Sequence, residues 1–379
     1  MIRGRRRVIG MIQLYALRYP FLFSVPVLSQ LAGLQKMFAR SPQTFAPDMP
    51  IAGLFLSLDP PIFCSQPRPP PFGAAHYFAS RFPDEPFIFL HPVTMSLERP
   101  TYALSLAVQY HRFRKAHPGA RLIVMANTDA EERLLRRLGV DALRVPQNMF
   151  IDETMYVPVP GRERTYDAIY NAMLAPMKRH DLARLVPSCA YVTKLFDHWS
   201  PGLKRSQLNK FVTHLPSGHA ICNTITGGIL SPMDHIQVND AMASAHVGLC
   251  LSKVEGAMYA GTEYLLAGLP VVSTRSKGGR DAFFHPDTTL IVDDNPRAVQ
   301  DGVAAMKARA LPPEYIRTTT LRLMTAERER FNTFMDALRG RESERTDPRW
   351  SFRYYPKVQK CGSVSSFENE LTDARSARL

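Results

Sequence analysis

The sequence has few cysteines, and they show no paired spacing. The five are Cys64, Cys189, Cys222, Cys250 and Cys361, an odd number scattered along the chain. This pattern argues against a disulfide framework or a zinc site, and it is typical of a protein of the reducing cytoplasm. We therefore expect a cytoplasmic protein.

The chain also lacks a long uninterrupted apolar run. Residues 1–48 place four arginines ahead of an apolar stretch that Gln13, Arg18, Pro20 and Pro26 interrupt. A membrane-spanning helix needs about 18 or more apolar residues, and no small-residue cleavage site of a secretory signal follows. We expect this basic and apolar N-terminal segment to cover a domain; peripheral contact with the inner face of a membrane is the alternative.

Internal repeats and nucleic-acid motifs are absent as well. The 379 residues correspond to about two ordinary domains, and the formal net charge is +13. Such a charge suits anionic substrates or an anionic membrane surface as well as it suits nucleic acid. Because no nucleic-acid motif accompanies it, we expect no nucleic-acid partner.

The first half alternates apolar strand patterns with helical patterns. Strands are predicted at 54–58, 87–90, 121–126 and 142–145, and helices at 102–116 and 129–138. Strands that alternate with helices predict a doubly wound parallel α/β sheet. His91, at the end of a predicted strand, is interpreted as a structural histidine, with a ligand contact as the alternative.

Residues 249–274 read as strand, loop, helix and strand. The apolar run 247–251 ends at a polar turn, a helix is predicted at about 260–267, and a second strand begins near Val271. Gly268 suits the left-handed position just beyond a helix end. This unit is the one around which the second half of the chain is organised.

Two carboxylates lie in this unit, eight positions apart. Glu255 follows the first strand and Glu263 lies in the first turns of the helix, so both are expected at the carboxyl end of the sheet. Ligands bind at that edge in open α/β sheets, and helix N-termini favour anions. An anion site beside two acceptors for sugar hydroxyls favours a nucleotide sugar; for Glu263, complementing the helix dipole is the alternative.

With these residues the segment resembles the retaining GT-B glycosyltransferases of glycosyltransferase family 4. The matching positions are Glu255, Gly256, Glu263, Ala267, Gly268, Leu269, Pro270, Val271 and Val272. The resemblance implies a GT-B fold, with two Rossmann-like doubly wound domains and a cleft between them. It also implies a hexosyltransferase-like enzyme that transfers sugar from a nucleotide donor to a glycan or lipid-linked acceptor with retention.

The resemblance further assigns roles to individual residues. Glu263 would hold the ribose hydroxyls of the nucleotide, and Glu255 the hydroxyls of the donor sugar. The backbone of Gly256, Ala257 and Met258 would bind the diphosphate.

Two other loops are implied to approach the donor. The loop that ends at Leu230 would contact the base, and Gly278 would permit a tight turn near the phosphates. Arg275, Lys277 and Arg280 would add positive charge there, although a plain surface loop explains those charges equally well.

In this family a strand-loop carries an arginine and, five residues later, a lysine that together clamp the donor diphosphate. Lys178 falls on the lysine position, after a strand predicted at 167–173 and before a predicted helix. Met173 stands at the arginine position. Arg179 is the nearest cation that could substitute for it, and a solvated surface pair is the alternative reading of Lys178 and Arg179.

The predicted organisation has four parts. They are the N-terminal segment 1–48, an acceptor-side domain 49–157, a nucleotide-sugar domain 158–340 and a flexible tail 341–379. A helix is predicted at 325–338. The chain has no Asp-x-Asp motif of the other major glycosyltransferase fold, so we expect neither a metal nor a cofactor.

Two other functions stay open at this point. A binding or regulatory protein that keeps the donor pocket but has lost transfer would explain Met173. An adaptor for membranes or nucleic acid would use the basic residues 3–7 and the tail.

Overall fold

The computed structural model describes residues 47–65, 72–197, 199–340 and 360–376. They form two compact units. Unit 1 contains the described residues up to Val145 and those from Lys360 on, and unit 2 contains those from Pro146 to Gly340. Most of the predicted N-terminal segment, residues 1–46, lies outside the described residues.

The secondary structure alternates along both units. The strands are β1 (Pro50–Leu58), β2 (Pro61–Ser65), β3 (Ile88–Pro92), β4 (Arg121–Ala126), β5 (Ala142–Arg144), β6 (Tyr166–Asn171), β7 (Cys189–Val192), β8 (His219–Ile221), β9 (Ile225–Thr226), β10 (Ile229–Leu230), β11 (Ala245–Cys250), β12 (Val271–Thr274), β13 (Thr289–Val292) and β14 (Lys360–Ser363). The helices are α1 (Gly73–Arg81), α2 (Pro100–Ala116), α3 (Asp129–Arg137), α4 (Pro201–Thr213), α5 (His235–Ala243), α6 (Tyr259–Leu266), α7 (Pro296–Ala308), α8 (Pro313–Arg339) and α9 (Val364–Ser376).

Unit 1 is built on a mixed sheet in the order β14-β1-β2-β3-β4-β5. Strands β2 to β5 run parallel, whereas β1 is antiparallel to both of its neighbours. Aromatic rings fill much of its core: the Phe63 ring centroid lies 4.8 Å from that of Phe55, 5.1 Å from that of Phe78 and 5.3 Å from that of Phe367. These contacts join β1, β2, α1 and α9 into one core.

Unit 2 contains a parallel sheet in the order β13-β12-β11-β6-β7-β8. Buried on both faces, its central strands read as apolar runs, as parallel strands do. Its helices α5 and α7 begin at side-chain caps: Asp234 forms a capping box with Gln237, and Asn295 accepts a bond from the amide of Ala298.

The predicted unit at 249–274 is confirmed as β11, α6 and β12. Gly268 has φ 76°, the left-handed conformation expected beyond a helix end. The strands and helices predicted in the first half are confirmed within a few residues. The helix predicted at 325–338 is the second half of α8, which already begins at Pro313.

The predicted flexible tail is wrong for its last part. Residues Lys360–Ser363 pair with β1, with Pro50 opposite Ser363, and α9 buries Phe367 and Leu371 in the unit 1 core. The charged, aperiodic sequence hid this ordering because it depends on pairing with a strand some 300 residues earlier. Residues 341–359 of the predicted tail lie outside the described residues.

The boundary between the units also differs from the predicted one near Pro158. Residues from Pro146 on belong to unit 2, because α8 binds their main chain. Arg328 Nε donates to Met149 O at 2.8 Å, and Arg317 donates to Glu153 O at 2.8 Å.

Candidate functional site

The candidate site lies where the parallel sheet of unit 2 reverses its direction of growth. From β6 the chain continues to β7 on one side, whereas β11 continues to β12 on the other, and β6 and β11 are neighbours. In doubly wound sheets this arrangement leaves a crevice at the carboxyl ends of the two central strands, where ligands bind. The loops after β6 and β11 carry the predicted residues.

Lys178 and Glu255 meet at this crevice. The Lys178 ammonium donates to the Glu255 carboxylate in an ion pair whose side chains are only 15% and 11% exposed. Lys178 ends a short 3-10 turn, Pro176–Lys178, rather than preceding a regular helix as predicted. The Tyr170 hydroxyl donates to Lys178 O at 2.5 Å. Burial raises the pKa of Tyr170 well above its ordinary value, so it stays a neutral donor that fixes this turn.

Arg179 is held inside the chain. Its Nε donates to Leu251 O at 2.6 Å, one terminal nitrogen to Asp294 Oδ2 at 2.7 Å and the other to Thr274 Oγ1 at 2.7 Å. The hydrogen bond from Arg179 lowers the pKa of Asp294. Reading Lys178 and Arg179 as a solvated surface pair is therefore wrong. The catalytic role of Arg179 stays a prediction, but its contacts favour a brace that joins the ends of β11 and β12.

Arg280 is fully buried, so its reading as a surface-loop charge is wrong. Its guanidinium donates to Cys250 O at 3.1 Å, to Ser252 O at 2.7 Å and to Thr274 O. Three carbonyls from two strand ends thus share one cation. The sequence gives no signal for this burial, because the carbonyls come from positions far from Arg280 along the chain.

The loops after β11 and β12 pair with each other beneath the site. Glu255 N donates to Lys277 O at 3.0 Å, and Gly279 N donates to Gly256 O at 2.7 Å. Gly278, between them, has φ 97°, a conformation that favours glycine. This pairing fixes the main chain on both sides of Glu255, while Arg275 and Lys277 keep exposed side chains.

Gly256, Ala257 and Met258 lead from Glu255 into α6. Met258 has φ 26° and ψ 87°, unusual for a residue with a side chain, and no side chain caps the helix. The first N–H groups of a helix have no partner within it. The arrangement of this loop suits an anion.

Glu263 lies in α6 and is 4% exposed. Asn171, the last residue of β6, donates through Nδ2 to Glu263 Oε2 at 3.4 Å, and its main-chain N–H donates to the Tyr264 hydroxyl. The Tyr264 ring packs directly on Gly248, where an added Cβ would lie 2.4 Å from it. Helix α6 is thereby held against both central strands.

Leu230 lies on a separate hairpin of β9 and β10. Gly227 and Gly228 form its two-residue turn, both at positive φ, as a type I′ turn requires. Asn223 connects it to the sheet by accepting from Thr193 N at 2.8 Å and donating to Ser231 O at 3.0 Å. The contacts above group Lys178, Glu255 and the loop before α6; Leu230 is not part of that group among the described residues.

Met173 is half-buried two residues after β6, where its carbonyl accepts a bond from Ala175 N at 2.8 Å. Its thioether places no positive charge beside the Lys178 turn. The sequence-based reasoning missed Tyr170, Tyr264 and Asp294, whose contacts set the positions of the predicted residues. Only Asp294 carried a signal, an acidic residue directly before the cap of α7.

Comparison with solved structures identifies the fold. The chain is similar to Anabaena HepE, crystallised in complex with UDP, with a TM-score of 0.51 and 13% identity over 70% of this chain and 75% of that one. It is also similar to sucrose-phosphate synthase from Thermosynechococcus elongatus (TM-score 0.48, 14% identity, 74% and 71% covered) and to a glycosyltransferase from Rickettsia africae (0.48, 14%, 73% and 76%). The chain has the GT-B glycosyltransferase fold.

No protein-family model matches the sequence, and a search of curated proteins finds no significant match. In the described part of the chain, no helix is both long and apolar enough to cross a bilayer.

Proposed function

We propose that the protein is a glycosyltransferase that takes a sugar from a nucleotide donor. The observation that carries the proposal is the meeting of Lys178 and Glu255 at the reversal point of a parallel sheet, beside the uncapped start of α6. A cation and free amides suit a diphosphate, and a carboxylate suits sugar hydroxyls. The GT-B fold supports this reading.

In the proposed reaction the donor loses its nucleoside diphosphate. Lys178 and the amides of residues 256–258 stabilise the developing negative charge, and Glu255 and Glu263 hold the sugar and ribose hydroxyls. The acceptor hydroxyl, of a glycan or a lipid-linked sugar, attacks from the face that the phosphate leaves and gives it its proton. Retention, transfer of a hexose and independence of a metal or cofactor are part of the proposal.

Lys178 and Glu255 bond to each other in the structure, so the donor must exchange this ion pair for its own contacts. The exchange replaces a partly buried pair by two charge-assisted interactions, which is favourable only if the donor supplies both an anion and hydroxyl groups. A nucleotide sugar supplies both. Free phosphate or a free sugar supplies one of them.

The test is a thermal-shift screen of nucleotide sugars followed by product analysis. UDP-sugars come first, because HepE was crystallised with UDP, then GDP- and ADP-sugars. A donor at a hundredfold excess over its dissociation constant stabilises the protein by about 2.7 kcal/mol. If no nucleotide sugar raises the melting temperature and none is hydrolysed or transferred, the proposal is wrong.

Met173 favours a second candidate, a regulatory protein that binds nucleotide sugar without transferring it. A neutral thioether stabilises a leaving diphosphate less than a guanidinium does. Donor binding without any hydrolysis or transfer would support this candidate, and release of nucleoside diphosphate would exclude it.

A further inference from the structure

Asn148 connects the first residues of unit 2 with the donor loop. Its side chain is 1% exposed, and its Nδ2 donates to Thr262 Oγ1 at 3.1 Å and to Met258 O at 3.4 Å. The Met258 carbonyl can only accept, so the NH2 group must face it. Asn148 Oδ1 is buried without a hydrogen-bond partner in the described part of the chain. The residue is thus used as a donor.

The two acceptors lie on either side of the start of α6. Met258 is the residue before the helix, in its strained conformation at φ 26°, and Thr262 is fully buried directly before Glu263. A non-glycine residue in such a conformation costs on the order of 1–2 kcal/mol and persists only where its surroundings hold it. The carboxamide of Asn148 supplies part of that hold.

Asn148 is itself fixed by the segment that follows it. Arg328 donates to Met149 O and Ile151 O, both at 2.8 Å, so the main chain beyond Asn148 is bound to α8. The neighbouring Gln147 accepts from the Tyr259 hydroxyl at 3.3 Å. A shift of the donor loop therefore requires either breaking these contacts or losing the Asn148 bonds.

We propose that Asn148 is a positioning residue for the donor diphosphate. Its two hydrogen bonds set the conformation at Met258, which directs the amides of residues 256–258 at the phosphates, and they fix Thr262 beside Glu263. The inference rests on the proposed function of this site. It adds the segment that begins unit 2 to the donor-binding machinery, through a residue that does not itself touch the donor.

The test compares two probes, UDP and uridine, which share base and ribose and differ in the diphosphate. Asn148→Asp keeps the shape of the side chain and removes both donor N–H groups, so UDP affinity in calorimetry should fall by about tenfold or more. Uridine affinity, followed by ligand-observed NMR titration, should change by less than about twofold. A merely structural role would weaken both probes or neither.

Thr262 supplies a second pair of variants in case Asn148→Asp fails to fold. Thr262→Val removes the acceptor at nearly constant shape and should lower UDP affinity selectively, whereas Thr262→Ser keeps the hydroxyl and should restore it. Asn239→Ala is the matched control, because Asn239 also bonds the segment after Asn148, at Val157 N (3.2 Å) and Val157 O (3.0 Å), without contacting Met258 or Thr262.

The outcomes separate this inference from the proposed function. If wild type binds UDP but Asn148→Asp and Thr262→Val weaken UDP and uridine equally, or leave both unchanged, Asn148 does not position the diphosphate loop. An equal selective loss in Asn239→Ala would assign the effect to general anchoring of the segment and also overturn the inference. Failure of wild type to bind any of UDP, GDP and ADP would contradict the proposed function itself.

Discussion

The two units place different kinds of polar groups at the carboxyl ends of their parallel strands. In unit 2 that edge holds the cations Lys178, Arg179 and Arg280. In unit 1 the corresponding ends of β3 and β4 are joined by Glu131, which accepts from Leu97 N and Asn127 N, both at 2.8 Å, and is fully buried. Burial raises the pKa of Glu131 despite these bonds.

The difference separates carboxylates that join loops from those that can meet a ligand. Glu131 uses both oxygens on amides of its own chain, and no cation appears among the causes of its pKa shift. Glu255 instead faces Lys178 at a crevice, in a pair that a ligand can exchange. Equal residue types at equivalent edges thus serve stability in one unit and candidate chemistry in the other.

The largest expected effect tests the core of unit 1. Phe63 is fully buried and contacts the rings of Phe55, Phe78 and Phe367. Phe63→Ala should lower the free energy of unfolding of unit 1 by about 3–5 kcal/mol, because it removes a buried ring and leaves a cavity. Denaturant titration measures this loss. UDP affinity at low temperature should be unchanged, and a parallel loss of affinity would contradict the division of roles.

Lys178→Ala should have the largest effect on catalysis. Removing one preorganised group that stabilises developing charge lowers kcat by about a hundredfold to a thousandfold, and it also leaves the Glu255 carboxylate without its cation. Nucleoside diphosphate release with the best donor from the screen measures the effect. The matched control is Lys253→Ala, an exposed lysine on the next loop. Equal losses in both variants would point to general electrostatic attraction instead of a clamp.

Most of the fold of unit 2 follows from its sequence, because helix ends, glycines and apolar runs act locally. The part of the site that follows is the part with fixed spacing, Glu255, Gly256 and Glu263. The burial of Arg280 and the bonds of Asn148 could not be predicted, since their partners lie far away along the chain. The same reason explains why β14 and α9 were missed: polar residues become ordered only where β1 offers a free edge.

Acid should destabilise both units through one buried histidine in each. Burial lowers the pKa of His91 in unit 1 to about 3 and that of His180 in unit 2 to about 4. Both stay neutral when folded, so their stability contribution is complete above the unfolded pKa of about 6.5 and decreases as pH falls toward the folded value. At pH 5 each should cost about 2 kcal/mol.

Chemical denaturation at pH 7 and pH 5 measures these costs. His91→Phe and His180→Phe keep an aromatic ring at each position and remove the titration, so each should flatten the acid dependence of its own unit. An unchanged dependence in either variant would show that its histidine already titrates normally.

The smallest expected effect concerns Met173, the position at which unit 2 departs from the family pattern. The Arg179 guanidinium is bonded to Leu251 O, Thr274 and Asp294, so it does not replace the arginine that the family places there. Met173→Arg should raise the rate of nucleoside diphosphate release by about tenfold, equivalent to about 1.4 kcal/mol. This lies near the lower end for a charge-assisted bond, because the new side chain is not held in place by neighbours. Met173→Lys is the matched control, since it adds the same charge without the planar pair of donors and should gain less. If Met173→Arg folds but is no faster, while Arg179→Ala keeps its stability and loses turnover, then Arg179 leaves its brace to bind the diphosphate and supplies the missing cation.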